Sequence, residues 1–235
     1  MSETITITTP DGSFAAYLVR PAAAPAAAIV VLQEIFGINA DMRKTCDELA
    51  SHGFLAICPD LFWRLEPGVE LSDKTDWDKG LALYEAYDLN KGVIDVMATM
   101  KAARTFNGAS GKVGLMGFCL GGLMTFLTTA RHVIDAGVAY HGGRTEEHLD
   151  EAPGVTGPLL MHLAEEDEFI SKEAQRAIIA VLKDKPNVAI YTYPGCSHAF
   201  ARHGGTHYDA AAADQAAART LSFFRSHLGV PGPVS

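Results

Sequence analysis

The sequence predicts an α/β chain: a mostly parallel central sheet with helices on both faces and an antiparallel hairpin at the N-terminus. Three features of the sequence lead to it. From Ala28 onward, short apolar runs alternate with stretches of helical periodicity, the texture of parallel strands buried on both faces and joined by crossover helices. Before Ala28 the pattern differs, with two runs of period two flanking the turn pair Asp11-Gly12. In mid-chain an apolar run ends in Gly117-Phe118-Cys119-Leu120-Gly121-Gly122. There a strand must turn sharply into a helix, and only glycines leave room beside the thrust-out cysteine.

The elements follow in order. Thr4 to Thr8 and Phe14 to Val19 make the hairpin, and Pro21 to Pro25 is a linker. Strands are expected at Ala28 to Leu32, Phe54 to Cys58, Val113 to Met116, Ala136 to Tyr140, Leu159 to Leu163 and Val188 to Tyr193. The helical segments are Met42 to Ser51, Asp76 to Thr105 with a break near Leu89-Asn90, Leu120 to Ala130, Lys172 to Lys183 and Asp209 to Leu228. Ala210 to Ala218 is alanine-rich because alanine forms helices well. The tail from Gly229 to Ser235 is expected to fray.

A chain of 235 residues with 48% hydrophobic content fills one large core and is short for two, so a single domain over residues 1–235 is expected. The net charge of −9 argues against nucleic acid or an anionic membrane as partner, since both bind basic patches. With no apolar leader and no run able to span a bilayer, the expected location is the cytoplasm. The four cysteines, Cys46, Cys58, Cys119 and Cys196, contain no C-x-x-C pair, which fits a reducing compartment and no zinc ribbon. Cys46 and Cys58 read as buried structural thiols. Cys196, close to His198, is open between a structural and a chemical role. No heptad or interface stripe is evident, so a monomer is the default.

Cys119, as a nucleophile, requires a base, and the base an orienting carboxylate. Asp167 follows one expected strand and precedes a helix capped near Ser171; His198 follows the next strand. The order nucleophile, acid, histidine is that of α/β-hydrolase topology, with each residue at a strand end. A helix starting at Leu120 aims free N–H groups and its positive dipole end at the sulfur, favouring a thiolate. Glu165, Glu166 and Glu168 beside Asp167 read as solvated charges. His203 and His207 have H-x-x-x-H spacing, but Gly204-Gly205 between them opposes a helix, so no metal and no other cofactor is assigned. His141 and His162 read as satisfied structural histidines.

Gln33-Glu34-Ile35-Phe36-Gly37, Cys58-Pro59-Asp60-Leu61, Gly117-Phe118-Cys119-Leu120-Gly121-Gly122, Asp167 and His198-Ala199-Phe200-Ala201-Arg202 together resemble the dienelactone hydrolase (carboxymethylenebutenolidase) family, nearly end to end. The resemblance implies a Cys119-His198-Asp167 triad with the backbone N–H groups of Ile35 and Leu120 as the oxyanion hole. It also implies a switch in which Glu34 pairs with the resting thiol and with Arg202. A substrate carboxylate draws Arg202 away, and the released Glu34 takes the thiol proton.

The chain departs from the family at Trp77 and Leu81, which stand where an arginine and a tyrosine are found, and at Ala199, where a hydroxyl residue is frequent. Lys79 supplies a nearby charge, as a point donor and not a bidentate fork, and Trp77 either narrows the substrate pocket or packs its helix. The expected reaction is opening of a carboxylate-bearing lactone or enol ester through a thioester. The alternatives are a carboxylesterase for another small ester, acyl transfer to an acceptor other than water, and a non-hydrolytic ligand-binding or thiol redox-sensing protein on the same fold.

Overall fold

The computed structural model describes residues 2–230, which fall into two compact units divided after Leu115. The first contains β1 (Ser2–Thr9), β2 (Gly12–Val19), β3 (Ala26–Leu32), α1 (Ala40–Ser51), β4 (Leu55–Pro59), α2 (Trp77–Ala86), α3 (Leu89–Thr105) and most of β5 (Ala109–Phe118). β1 and β2 form the expected hairpin, with Ile7 opposite Phe14. β2 then pairs antiparallel with β4, Leu18 opposite Ile57, whereas β4 runs parallel to β3. The residues of β3 and β4 are all buried, while β1 and β2 alternate, as continuous and alternating apolar runs require. α1 and α3 pack against these strands.

The long helical segment from Asp76 is two helices. α2 stops at Ala86, and the Asp88 carboxylate starts α3 by accepting the N–H groups of Asn90 and Lys91 at 2.9 and 3.0 Å. An aspartate at this position satisfies the orphan donors of the new helix.

The second unit contains α4 (Leu120–Arg131), β6 (Ala136–Tyr140), β7 (Leu159–Ala164), α5 (Lys172–Leu182), β8 (Val188–Tyr193) and α6 (Ala210–Leu228). β6, β7 and β8 are parallel neighbours, with Tyr140 opposite His162 and His162 opposite Tyr191. A 3-10 helical stretch at Thr145–Gly154, interrupted in geometry at His148 and containing Pro153, has no periodic sequence signal. Ser171 and Asp209 cap α5 and α6 by accepting the N–H groups of Ala174 and Ala212 at 3.1 and 2.9 Å. At the other end of α6, Gly229 takes φ 68° and Val230 N–H donates to the Arg225 carbonyl at 3.1 Å. This part of the expected frayed tail therefore closes the helix; residues 231–235 lie outside the described residues.

Within the first unit the strand order is β1-β2-β4-β3-β5 and within the second β6-β7-β8, together the eight strands of one mostly parallel sheet. A buried polar network ties the second group to α6. His162 Nδ1 meets the Tyr193 hydroxyl at 2.8 Å, its Nε2 meets Thr220 Oγ1 at 3.0 Å, and the Tyr140 hydroxyl meets the same Thr220 at 2.7 Å. Burial, with the charge of Arg219, pushes the His162 pKa down to about 3, so the ring is neutral, with both nitrogens satisfied. No helix among the described residues is long and apolar enough to cross a membrane.

Candidate active site

Cys119 sits between β5 and α4 at φ 52° and ψ −111°, a conformation that a residue with a side chain adopts only where its surroundings enforce it. The enforcing contacts are close backbone approaches. A Cβ on Gly117 would stand 2.2 Å from the Gly121 carbonyl oxygen, and one on Gly122 would stand 2.4 Å from that of Tyr140. The Cys119 N–H donates to the Tyr140 carbonyl at 3.1 Å, and the Cys119 carbonyl accepts from Leu123 at 3.0 Å as α4 begins. The thiol is partly exposed and makes no side-chain cap. Leu120, the first helical residue, has a backbone N–H with no acceptor inside its own helix.

The loops after β7 and β8 are laced together by Glu165 N–H to the Tyr193 carbonyl at 3.1 Å and Glu166 N–H to the Cys196 carbonyl at 2.8 Å. This brings Asp167 and His198 into contact. Asp167 Oδ1 accepts the N–H groups of Phe169 and Ile170 at 2.9 and 3.0 Å, and Oδ2 lies 2.8 Å from His198 Nδ1. Both residues are buried. Because an ionised carboxylate only accepts, Nδ1 carries the hydrogen, and Nε2 is the nitrogen left for the sulfur. Burial by itself would lower the pKa of this imidazole. The negative charge of an ionised Cys119 and the hydrogen bond to Asp167 outweigh it and push the pKa up to about 10. An anionic sulfur beside the ring favours its imidazolium form.

His141 departs from the satisfied structural histidine expected. It is 1% exposed at φ 34°, its ring stands edge-on to that of His198 with centroids 4.4 Å apart, and neither ring nitrogen has a hydrogen-bond partner. Burial, then the charges of His198 and Arg202, hold its pKa well below the ordinary imidazole value. It is a neutral ring against the candidate base. Arg202, half-buried, follows the loop through Ala199, which takes φ 59°. Glu168, expected as a solvated charge, instead accepts the His198 N–H at 3.1 Å, and His207 reaches the His198 carbonyl. Sequence periodicity carries no signal for contacts between two loops.

In the first unit, Glu34 and Ile35 follow β3 and are each 3% exposed. Gly80 of α2 lets that helix approach closely, since a Cβ there would lie 3.1 Å from the Ile35 carbonyl oxygen. Trp77 packs edge-on against Phe36 with ring centroids 5.1 Å apart and donates its indole N–H to the Asp73 carbonyl. Lys79 forms an exposed ion pair with Glu66 at 2.7 Å. Cys46 and Cys58 are buried, as is Cys196, whose thiol pKa is raised by burial. Among the described residues no three His, Cys, Asp or Glu side chains gather as a metal ion requires.

A family model described as the dienelactone hydrolase family matches residues 14–228. A relative from Azospirillum brasilense is 44% identical over 223 residues, covering 93% of this chain and 96% of its own. The carboxymethylenebutenolidase of Pseudomonas putida is 38% identical over 226 residues, 95% of this chain and 96% of its own. Among solved structures, one from Klebsiella pneumoniae subsp. pneumoniae MGH 78578, assigned by name to the dienelactone hydrolases, superposes with a TM-score of 0.85 at 26% identity. It covers 95% of this chain and 98% of that one.

Proposed function

This chain belongs to the dienelactone hydrolase family and has the α/β-hydrolase fold, and from that premise we propose that it opens a lactone or enol ester through Cys119, His198 and Asp167. The observation that carries the reading is the 2.8 Å Asp167–His198 contact beside a cysteine held at φ 52°. The Cys119 thiolate attacks the carbonyl carbon, a C–S bond forms, and the ring C–O bond breaks with its electron pair going to an enolate. The His198 imidazolium supplies the proton for that leaving group. Water then attacks the thioester, His198 takes its proton, and the thiolate leaves. The Leu120 and Ile35 N–H groups are the proposed oxyanion donors; such a donor contributes about 2.7–4 kcal/mol.

Glu34 and Arg202 take the switch roles that family membership gives them, Glu34 as acceptor of the thiol proton and Arg202 as partner of a substrate carboxylate. A permanently exposed thiolate would invite oxidation, which gives such a switch a physical rationale. Trp77 shapes the substrate side. We place the enzyme in the cytoplasm as a single-domain monomer, with no cofactor.

One observation favours a second reading, hydrolysis of a small neutral carboxylic ester. Lys79, the candidate second charge for a substrate carboxylate, is already paired with Glu66. The test is kcat/KM for a carboxylate-bearing dienelactone beside a neutral aryl ester of similar size, with Cys119→Ala as the blank. A strong dienelactone preference lost in the variant supports the first reading; a faster ester supports the second. Turnover of neither by the wild-type protein would overturn both.

A further inference from the structure

Asp167 and Glu168 are neighbours in sequence and grip the same histidine in different places. Asp167 holds the imidazole through Nδ1, while Glu168 Oε2 accepts the His198 backbone N–H at 3.1 Å. On the other side of that residue, His207 Nδ1 lies 3.1 Å from the His198 carbonyl oxygen and 3.2 Å from Glu168 Oε1. A carbonyl oxygen only accepts, so His207 Nδ1 carries the hydrogen and presents it to two acceptors. Glu168, His198 and His207 thus close a ring of contacts around both backbone polar groups of His198. The loop needs such restraint, because Ala199, immediately after His198, sits at φ 59° without being glycine. The segment carrying His207 is itself anchored, with Asp209 N–H donating to the Phe200 carbonyl at 2.9 Å.

We propose that Glu168 and His207 are positioning residues that fix the backbone of His198 and so hold its imidazole in line with Cys119. The inference rests on the triad proposed above. A displacement of about 1 Å in a reacting group costs on the order of 100-fold in rate, and the carboxylate of Asp167 alone restrains only the ring. Both side chains are substantially exposed, 45% for His207 and 40% for Glu168, so substituting them leaves the core packing in place.

The test uses the full chain with Glu168→Ala, Glu168→Gln, His207→Ala and His207→Asn. Gln keeps an acceptor for the His198 N–H, and Asn presents an amide N–H near the position of Nδ1. The readouts are kcat and KM on a carboxylate-bearing dienelactone and on 4-nitrophenyl acetate, together with the low-field Nδ1 proton of His198 by NMR. Each alanine variant is expected to lose roughly 10- to 100-fold in kcat with KM nearly unchanged and the low-field signal broadened, and the Gln and Asn variants to recover most of it. Alanine variants with wild-type kcat and an unchanged signal overturn the inference, as does a loss confined to KM or one that Gln and Asn do not relieve. Full activity in Cys119→Ala would instead remove the triad reading, a separate outcome. Should neither substrate turn over, a sharp, unshifted His198 proton in both alanine variants overturns the inference by itself.

Discussion

Asp167 holds His198 with one carboxylate oxygen, 2.8 Å from Nδ1, while its other oxygen accepts two backbone N–H groups from Phe169 and Ile170. The carboxylate therefore cannot rotate away, and the imidazole is kept with its hydrogen on Nδ1. Asp167→Asn preserves the shape and removes the charge. It is expected to lower kcat by about 10⁴-fold, the typical cost of a wrong tautomer in a triad, with little change in KM or melting temperature. Steady-state kinetics and a thermal melt measure this; a variant retaining a tenth of the wild-type kcat would remove Asp167 from the proposed role.

The glycine before the elbow is a steric necessity. Gly117→Ala places a Cβ 2.2 Å from the backbone oxygen of Gly121, where no side-chain rotation relieves the overlap. The expected loss is at least about 2–3 kcal/mol in urea unfolding, the upper range for overpacking. Gly195→Ala is the control, since φ is 72° there but nothing lies within 4 Å; a smaller loss, about 1 kcal/mol, is expected for strain alone. Equal losses at both positions would show that close approach is not what Gly117 provides.

His162 makes the fold acid-sensitive. Its native pKa is about 3 against about 6.5 when unfolded, so between these values the unfolded chain binds a proton that the folded one does not. Stability contributed by the neutral ring is present above about pH 6.5 and is lost as pH falls toward 3, on the order of 2 kcal/mol by pH 5. His162→Asn is expected to be less stable at pH 7 but to lose less on acidification. Chemical unfolding at pH 7 and 5 checks the slope, and parallel slopes in the two proteins would refute it.

Arg202 and Lys79 are distinguished by where they stand, Arg202 half-buried on the loop that follows His198 and Lys79 in an exposed pair on α2. Lys79 is in an exposed ion pair with Glu66, and Lys79→Ala is expected to leave KM for acidic and neutral substrates within about twofold. Arg202→Ala is expected to raise KM for a carboxylate-bearing substrate about tenfold or more while affecting a neutral ester less. Initial-rate kinetics on both substrates decide; equal losses on both in Arg202→Ala would contradict carboxylate recognition there.

The order of elements was legible in the sequence because it is written in local periodicity. Continuous apolar runs marked β3, β4 and β7, alternation marked the hairpin, and Ser171 and Asp209 announced their helices through capping chemistry. The glycine frame of Cys119 and the order of Cys119, Asp167 and His198 were equally readable, since a sharp turn and chain topology constrain residue type. Tertiary structure alone decided the rest. That Lys79 meets Glu66, that His141 stands unpaired against His198, and that Glu168 and His207 enclose the His198 backbone depend on loops with no repeat to read. Glu168 and His198 are brought together by the ends of the neighbouring strands β7 and β8, and the same residue types elsewhere in the chain would be solvated charges.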